Sequence, residues 1–398
     1  MTNIAILGFG VVGGGVADLI TNNKNEILRT AKDEINIKYI LDLRDFPASP
    51  FAKRVVHDFG IIVNDPEISV IIETMGGSHP AYEYTVAALR AGKSVITSNK
   101  EVVANYGDEF LALAERYGVS YRFEASVGGG IPVLSPMIHS IGQNKISEVR
   151  GILNGTTNYI LTQMFTFGES FESALAEAQE KGYAERNPDA DILGTDACRK
   201  IAILTALATG KLISTDKIHT EGIVGVRSED VKCAASLGCT IKLIGRCILD
   251  GAEPYVMVAP FLVPCEMPLS TVSSVYNAVE VIAEPLGNVM FYGRGAGAGA
   301  TASAVVGDLM ETVCLGAHGL PAFERSERIL PMASFACRHY VAITKDGEAA
   351  ARSAFGDRLT PLATADGEFA FITDKLSESE LDELTSGVEI LSHIRLLA

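Results

Sequence analysis

The sequence predicts an α/β protein in three parts: a doubly wound parallel sheet, a central α+β part and a small C-terminal α+β module. Three observations predict this fold class. Short apolar runs alternate with helical patterns over the first 130 residues. A G-x-G-x-x-G turn directly follows the first apolar run. The chain has 398 residues, of which 47% are hydrophobic, and this length suits two or three domains rather than one.

Composition argues against several classes of protein. A net charge of −16 disfavours nucleic acid and anionic membrane surfaces as partners. We find no apolar run approaching the roughly 18 residues of a membrane helix, and no signal peptide before the first strand. The seven cysteines include no C-x-x-C spacing, which favours reduced thiols over disulfides or a zinc site. We therefore expect a cytoplasmic protein with no membrane or nucleic-acid partner.

The first strand, Ile4–Leu7, leads into a turn typical of dinucleotide-binding sites. In such a turn the first glycine permits a tight bend, and the second lets the backbone approach a pyrophosphate. The third packs helix on strand, and the helix N-terminus faces the phosphates. The alternative is a glycine-rich turn without a ligand. The candidate cofactor-binding residues here are Gly8, Phe9, Gly10, Val11, Val12 and Gly13.

Further strands are predicted at residues 35–41, 70–73, 94–97 and 120–124, with helices between them. This alternation predicts a Rossmann-type nucleotide-binding domain over residues 1–130. Ligands bind at the carboxyl ends of parallel strands, where Ser98 and Lys100 lie. We expect Lys100 beside the nicotinamide, although a solvent-exposed lysine at a strand end is the alternative.

The residues after the second strand favour opposite cofactors. Asp42 can accept a hydrogen bond from the adenosine ribose, as in NAD sites. Arg44, with Lys53 and Arg54 nearby, can bind the 2′-phosphate of NADP. An aspartate would repel that phosphate. The balance favours NADP slightly, and NAD remains possible.

The segment Glu124–Pro132 leaves the last Rossmann strand through three consecutive glycines. Freed backbone there can aim carbonyls at a hard cation such as Na⁺. From the residues alone, a hinge between domains is the favoured alternative. The candidate cation ligands are the Glu124 carboxylate and the carbonyls of Val127, Gly129 and Ile131.

The stretch Ala178–Lys200 is rich in carboxylates and ends in a lysine. Asp191 is predicted at the N-cap or in the first turn of a helix, on which Asp196 and Lys200 are four residues apart and share one face. Carboxylates beside an amine suit a small zwitterionic substrate and one proton donor, whereas an ordinary surface ion pair is the alternative. The polar turn holding Asn154 and Thr156 follows a predicted strand and can line a substrate pocket.

At this point the chain resembles the homoserine dehydrogenases. The family signature A-x3-G-aromatic-small-x2-N-P-x2-D-aliphatic-x-G-x-D-x3-K is satisfied between Ala178 and Lys200. Other matching segments occur in family order, and the resemblance covers residues 1 to about 320. These segments are the N-terminal glycine turn, Ser98–Glu101, Glu124–Pro132, Asn154–Tyr159 and Gly293–Gly297.

The resemblance implies interconversion of L-aspartate 4-semialdehyde and L-homoserine with a nicotinamide cofactor, towards threonine and methionine. Lys200 would be the general acid and base, and Lys100 would contact cofactor and substrate and lower the pKa of Lys200. Sodium would lie at the four candidate ligands above, and Gly297 would contact the cofactor. The residues implied in homoserine binding are Gly182, Glu185, Asp191 and Asp196.

The resemblance also implies the domain organisation. Residues 131–320 would form a homoserine-binding and dimerisation domain, with 293–320 returning to the nucleotide domain, so that we expect a homodimer or a dimer-based oligomer. Residues 335–398 resemble a shortened, degenerate ACT module of ferredoxin-like topology. Its loop at residues 345–350 lacks the usual Asp-x-Pro-Gly-Val-Leu pattern, which favours a structural tail over an effector site.

Two other functions remain open from the sequence. A different Rossmann-fold aldehyde or imine reductase would not need the 178–200 signature. A non-catalytic dinucleotide sensor would be expected to lose a lysine or a carboxylate, yet Lys100, Glu185, Asp196 and Lys200 are all present.

Overall fold

The computed structural model describes residues 1–316, 320, 322–364 and 367–398. Residues 317–319 of the predicted return segment and 365–366 of the predicted tail module lie outside the described residues. The described strands are β1 (Thr2–Leu7), β2 (Ile35–Leu41), β3 (Val55–Val56), β4 (Ile68–Glu73), β5 (Ser94–Thr97), β6 (Tyr121–Arg122), β7 (Lys145–Ile152), β8 (Lys211–Ile213), β9 (His219–Thr220), β10 (Cys239–Asp250), β11 (Glu253–Pro264), β12 (Tyr276–Glu284), β13 (Gly287–Arg294), β14 (Glu324–Ser326), β15 (Ala336–Cys337), β16 (His339–Thr344), β17 (Leu359–Leu362), β18 (Glu368–Thr373), β19 (Leu376–Ser377) and β20 (Ile390–Leu396). The described helices are α1 (Val11–Asn22), α2 (Lys24–Ala31), α3 (Phe59–Val63), α4 (Ala81–Arg90), α5 (Lys100–Tyr117), α6 (Leu134–Pro136), α7 (Gly155–Phe167), α8 (Phe171–Glu180), α9 (Asp189–Ile192), α10 (Thr195–Thr209), α11 (Ser228–Ser236), α12 (Ala298–Leu315), α13 (Glu348–Phe355) and α14 (Glu378–Thr385).

The chain forms two compact units, each built from three segments. Unit 1 comprises Met1–Lys145, Ala202–Thr215 and Gly293–Glu327. Unit 2 comprises Ile146–Ile201, Asp216–Tyr292 and Arg328–Ala398.

Unit 1 contains a parallel sheet of six described strands in the order β3-β2-β1-β4-β5-β6. The order runs outward from β1 in both directions, as in doubly wound sheets. Most residues of β1, β4 and β5 are buried, as expected for parallel strands that are covered on both faces. The α/β fold with a Rossmann-like N-terminal sheet, predicted from the sequence, is therefore confirmed.

Helix α12 is the one described helix that is long and apolar enough, by length and composition alone, to cross a membrane. The expectation that no apolar run approaches this length was therefore wrong. In unit 1, however, its residues Ala302, Val305 and Leu309 are buried in the same core as Val16 of α1. A core helix of a folded domain passes the same length and composition test, and the packing of α12 fits that interpretation.

Unit 2 is built around a mixed sheet of ten described strands. The order is β13-β12-β7-β10-β11-β20-β16-β18-β17, and β9 also pairs with β11. The long hairpin of β10 and β11 pairs over its whole length, from Cys239 opposite Pro264 to Asp250 opposite Glu253. This hairpin holds β7, and hence the turn after β7, in place.

The C-terminal tail has all the elements of a βαββαβ module, β16-α13-β17-β18-α14-β20. Strand β17 was not predicted, so the module is less shortened than the sequence indicated. Its strands are ordered β20-β16-β18-β17, with antiparallel pairs, over a separate apolar core that includes Phe355 and Phe371. Strand β20 also pairs with β11, placing Phe261 opposite Arg395, so the tail continues the central sheet.

A buried polar cluster lies within the tail. Donor atoms of Cys337, His339 and Glu378 lie within 4.8 Å of one another. Two of these side chains already have partners: Arg395 donates to both carboxylate oxygens of Glu378, and His339 Nδ1 is 2.9 Å from His393 Nε2. We therefore interpret the cluster as a hydrogen-bonded core of the tail.

Candidate active site

Lys200 lies one helical turn after Asp196 on α10, in unit 2. Its Nζ donates to Asp196 Oδ2 at 2.7 Å and to the Leu153 carbonyl at 2.7 Å. The side chains of Lys200 and Asp196 are only 10% and 7% exposed. The predicted four-residue spacing therefore produces a buried ion pair, in which the carboxylate compensates the charge of the ammonium group.

Asn154 donates hydrogen bonds to two carboxylates beside Lys200. Its Nδ2 donates to Asp191 Oδ1 at 2.7 Å and to Asp196 Oδ2 at 2.9 Å. Its Oδ1 accepts from the Thr157 backbone N–H at 2.8 Å and thereby caps α7. Because the cap fixes which way the amide points, its N–H groups face the carboxylates.

Asp191 does not lie on the helix that carries Asp196, contrary to the prediction. The one-turn helix α9 ends at Ile192, and α10 starts afresh at Thr195. Gly194 separates them with φ of 85°, a conformation that favours glycine. The break brings the Asp191 carboxyl back towards Asn154.

The carboxyl groups of Asp191 and Asp196 lie close together in a buried cluster, so the charge of one affects the pKa of the other. Burial raises the pKa of Asp191, and the nearby charge of Asp196 raises it further, whereas the hydrogen bond from Asn154 lowers it. A cationic group such as an α-ammonium would relieve this repulsion. The cluster therefore offers a binding place for an amine beside a proton donor.

The turn 182–185 is held by hydrogen bonds from its surroundings in unit 2. Thr156 Oγ1 donates to the Tyr183 carbonyl at 2.7 Å, and Gln179 Nε2 donates to the Glu185 carbonyl at 3.1 Å. Gly182 has φ of 72° and is exposed, as is Glu185. Thr156 thus supports this turn through its hydroxyl group.

The glycine turn of unit 1 has the geometry that a close-packed dinucleotide turn needs. Gly8 has φ of 91°. A Cβ on Gly13 would lie 1.9 Å from the Gly8 carbonyl oxygen, whereas a Cβ on Gly10 would meet nothing within 4 Å. Gly13 is therefore required by packing, and Gly10 leaves open space at the N-terminus of α1, between Phe9 and the exposed Val11. The predicted turn residue Val12 packs against the core.

Asp42 and Arg44 contact each other at the end of β2. Arg44 Nε and Nη2 donate to the two Asp42 oxygens at 3.0 and 3.1 Å. The Phe9 backbone N–H also donates to Asp42 Oδ2 at 2.8 Å. The hydrogen bond from the Arg44 side chain is the largest cause that holds the pKa of Asp42 well below its usual range. Burial raises the pKa, and the backbone hydrogen bonds from Arg44 and Phe9 lower it further. The carboxylate that would repel a 2′-phosphate is thus partly neutralised by the arginine that would bind it.

The turn after β5 places Lys100 as the first residue of α5. Asn99 caps the helix by accepting from the backbone N–H of Glu101 at 3.2 Å, and its Nδ2 donates to the Gly77 carbonyl at 2.7 Å. The Ser98 backbone N–H donates to the Glu73 carbonyl at 3.3 Å. Ser98 and Lys100 therefore sit on a turn held by the end of β4.

Strand β6 is shorter than predicted, because Glu124 turns away from the sheet in a 3-10 turn. The Glu124 carboxylate accepts from three backbone N–H groups, those of Val133, Leu134 and Ser135, at 2.7 to 2.9 Å. Burial nevertheless raises its pKa, as it does for the fully buried Asp308, which accepts from the Glu124 backbone N–H at 2.8 Å. A cavity of about 310 Å³ within unit 1 is lined by both acids and by Glu311.

The glycine run after Glu124 packs closely against the segment before α12. A Cβ on Gly129 would lie 2.4 Å from the Gly295 carbonyl oxygen, and the Gly130 backbone N–H donates to the Arg294 carbonyl at 3.2 Å. Val127 and Ile131, the other candidate cation ligands, are buried. Gly297 precedes α12 with φ of 116°. The run of glycines therefore has a packing reason within unit 1.

The candidate residues fall into two sets. Unit 2 brings Asn154, Asp191, Asp196 and Lys200 into one hydrogen-bonded cluster, with Thr156 supporting the neighbouring turn. Unit 1 holds the cofactor and cation candidates, namely residues 8–13, Arg44, Ser98, Lys100, Glu124, Val127, Gly129, Ile131 and Gly297.

Comparison with known proteins matches most of the chain to one family. The family described as "Homoserine dehydrogenase, NAD binding domain" matches residues 8–124, and "Homoserine dehydrogenase" matches residues 132–310. A homoserine dehydrogenase from Synechocystis is 38% identical over 348 residues, which are 86% of this chain and 79% of that protein.

The chain belongs to the homoserine dehydrogenase family.

Solved structures agree with this assignment. The homoserine dehydrogenase of Thiobacillus denitrificans has a TM-score of 0.92 at 33% identity, covering 100% of this chain and 98% of that chain. A hyperthermophilic archaeal homoserine dehydrogenase mutant, solved in complex with NADPH, has a TM-score of 0.67 at 27% identity, covering 78% and 97%. As a homoserine dehydrogenase, the chain is an NAD(P)-dependent oxidoreductase of amino-acid biosynthesis that acts on a small-molecule substrate.

Sequence reasoning missed several residues that hold the two sets in place. The Leu153 carbonyl is a backbone group and leaves no trace in the sequence. Two buried acids could have been noticed in the sequence. Asp308 lies in the middle of the mostly apolar α12, and Glu73 lies at the end of the mostly apolar β4. A buried acid costs free energy unless it is hydrogen-bonded, so such a position indicates a specific partner.

Proposed function

We propose that this homoserine dehydrogenase interconverts L-homoserine and L-aspartate 4-semialdehyde with NADP as the preferred cofactor. Lys200 would act as the general acid and base. The observation that carries the proposal is the buried cluster in which Asn154 holds two carboxylates beside the Lys200 ammonium. A catalytic lysine needs a fixed position and a charge-compensating neighbour, and α10 supplies both from residues four apart.

The chemistry divides between cofactor and protein. When bound, the nicotinamide cofactor supplies or accepts the hydride. In the direction of reduction, Lys200 Nζ–H donates a proton to the oxygen that gains negative charge, and in oxidation the neutral amine takes the hydroxyl proton. We propose that Glu185, Asp191 and Asp196 bind the α-ammonium of the substrate, with Gly182 and Thr156 shaping the turn around it.

We propose that Lys100 contacts cofactor and substrate from the first turn of α5, with Ser98 beside it. Residues 8–13 would hold the pyrophosphate at the N-terminus of α1, and Gly297 would contact the cofactor from a second turn. Arg44 would bind the 2′-phosphate of NADP. The complex of the archaeal relative with NADPH supports this choice of cofactor.

We propose a bound sodium ion at Glu124 and the carbonyls of Val127, Gly129 and Ile131. The donor set fits, because these are hard oxygen ligands and because the buried acids Glu124 and Asp308 carry raised pKa values that a cation would relieve. The ion would compensate charge and stiffen the segment, without a step in the reaction.

We further propose the wider setting of this activity. The enzyme would work in the cytoplasm, on the route to threonine, isoleucine and methionine, as a homodimer or a dimer-based oligomer. Residues 1–130 would bind the nucleotide, and 131–320 would bind homoserine and dimerise, with 293–320 returning to the nucleotide domain. Residues 335–398 would be a structural ACT-like module.

The proposal is tested with the Lys200→Arg variant, which keeps the positive charge beside Asp196 but cannot exchange a proton near neutral pH. We expect kcat for L-homoserine oxidation to fall by about 10²-fold or more. Binding of NADPH, measured by its fluorescence, should change little.

Lys232→Ala on the exposed face of unit 2 is the control and should retain activity. Full turnover in Lys200→Arg would refute the acid–base role. Absence of homoserine oxidation by the unaltered enzyme, with either NADP⁺ or NAD⁺, would refute the proposed reaction itself.

A further inference from the structure

Glu73 is a fully buried acid at the carboxyl end of β4, and the mechanism above assigns it no role. Its side chain is 0% exposed. One carboxylate oxygen accepts from the Met75 backbone N–H at 2.6 Å, and the other accepts from Thr97 Oγ1 at 2.5 Å. The carboxylate therefore bridges the ends of two neighbouring parallel strands, β4 and β5.

The bridge continues to the helix that begins with Lys100. Thr97 Oγ1 accepts from the Asn99 backbone N–H at 2.9 Å, and Asn99 in turn caps α5. Asn99 Nδ2 donates to the Gly77 carbonyl, so the loop after β4 contacts the loop after β5 a second time. A chain of hydrogen bonds thus leads from Glu73 through Thr97 and Asn99 to the first turn of α5.

The same strand end is also tied to the glycine turn. Thr74 Oγ1 donates to the carbonyls of Leu7 and Gly8, at 3.0 and 2.8 Å. Glu73 and Thr74 together therefore connect the ends of β1, β4 and β5, at the edge where parallel sheets bind their ligands. An apolar residue at position 73 would avoid the cost of a buried acid, but it could not accept these two hydrogen bonds.

We propose that Glu73 is a positioning residue for the reaction, whose carboxylate fixes the β4 and β5 loops against each other and thereby places Lys100. This inference rests on the proposed role of Lys100 at the cofactor. The ionised form fits these contacts as they stand, because the Met75 N–H and the Thr97 O–H both donate to the carboxylate.

The protonation state of Glu73 gives the proposal a signature. Burial is the largest cause that raises its pKa, to about 7, against the hydrogen bonds from Thr97 and Met75, which lower it. The phenol of Tyr121 on β6 interacts with Glu73, and burial keeps that phenol neutral by raising its pKa. As the pH falls through this range Glu73 gains a proton, and the oxygen that carries it becomes a weaker acceptor. At higher pH the group is ionised and accepts both hydrogen bonds at full strength.

Glu73→Gln tests this, because the amide keeps the shape but is never ionised. We expect kcat for homoserine oxidation to fall by about 10-fold to 100-fold at pH 8.5, since displacing a positioned group costs that much. Near pH 6 the ratio of wild-type to variant kcat should approach one, because the wild-type acid is then protonated too. Effects of Lys200 titration cancel in this ratio.

Thr97→Val removes the other end of the bridge and covers the case in which Glu73→Gln does not fold. The reductions in kcat caused by the two substitutions should not multiply, so the double variant should be about as slow as either single variant. Glu67→Gln, with a side chain 67% exposed in the same unit, is the matched control and should behave as wild type.

Hydrogen exchange of the amides of residues 98–103 provides a readout that needs no turnover. We expect faster exchange there in Glu73→Gln than in wild type and in Glu67→Gln. A kcat ratio independent of pH, multiplying effects in the double variant, or unchanged exchange at 98–103 would each overturn the proposal. These outcomes differ from failure of the proposed function, in which the wild-type enzyme itself would not oxidise homoserine.

Discussion

Arg44 is the residue that we propose to bind the 2′-phosphate of NADP, and its contact with Asp42 leads to a specific prediction. The guanidinium already bonds both carboxylate oxygens and lies 5.1 Å from the centre of the Phe46 ring. A 2′-phosphate would add a second anion to an arginine that is held in position. In Arg44→Ala the phosphate would lose its cation and meet the now unpaired Asp42 carboxylate.

We therefore expect Arg44→Ala to raise the Michaelis constant for NADP⁺ by about 10-fold to 100-fold, the loss of one or two charged hydrogen bonds. The constant for NAD⁺ should change by less than about 3-fold. Initial rates with the two cofactors measure this, with Arg29→Ala on the exposed face of α2 as control. An equal loss with both cofactors would assign Arg44 a structural role instead.

At the scale of elements, the segment 124–131 is the place where a cation would matter most. The Glu124 carboxylate accepts from three backbone N–H groups, and Gly129 packs against Gly295, so the protein itself already orders this segment. A bound sodium ion should stabilise the folded state further, by about 1–3 kcal/mol when the site is saturated. Melting temperature in sodium chloride should then exceed that in choline chloride of equal ionic strength.

Glu124→Gln removes the charged ligand and should abolish the difference between the two salts, whatever its effect on the melting temperature itself. Glu311→Gln, at the lining of the same cavity but outside the proposed ligand set, should keep the difference. A protein that responds equally to sodium and choline has no such site.

These elements also explain which parts of the fold were predictable. Five of the six described parallel strands of unit 1 were predicted from their apolar runs, to within two residues at each end. The remaining strand, β3 (Val55–Val56), was missed because two residues are too short to show a pattern. Strand β17 was missed because it is four residues long, contains Pro361 and lies at a sheet edge, where proline is tolerated. The break between α9 and α10 falls at Gly194, where φ is 85° and a Cβ would lie 3.0 Å from the Glu221 carbonyl oxygen, which comes from a distant part of the chain.

The contacts of the candidate site were likewise predictable only where they are local in sequence. The four-residue spacing of Asp196 and Lys200 gave their contact directly, because helical geometry is local. The contact of Asn154 with both carboxylates, and the bridge from Glu73 to Thr97, join residues more than 20 positions apart. Such pairings depend on strand order, which a single sequence with no covariation does not contain.

For the whole molecule, the homodimer that we propose would bring together two strongly acidic chains. Strand β13 ends the ten-stranded sheet of unit 2, and its exposed apolar side chains include Met290 and Tyr292, at 36% and 54% exposure. An edge strand of this length with apolar residues is a template for pairing with a second copy. We propose that dimerisation occurs at this edge.

The charge of −16 per chain gives this dimer a specific salt dependence. Like charges repel, and salt screens them, so an association driven by apolar contacts should strengthen as ionic strength rises. Sedimentation should give twice the 42.3 kDa chain mass, and the fraction of dimer should be larger at 0.5 M than at 0.05 M salt. Met290→Lys places a charge at the edge and should shift the mass to that of one chain, whereas Leu43→Lys, at a site 94% exposed in unit 1, adds the same charge and should leave the dimer intact. A dimer that dissociates with salt, or that survives Met290→Lys unchanged, would place the interface elsewhere.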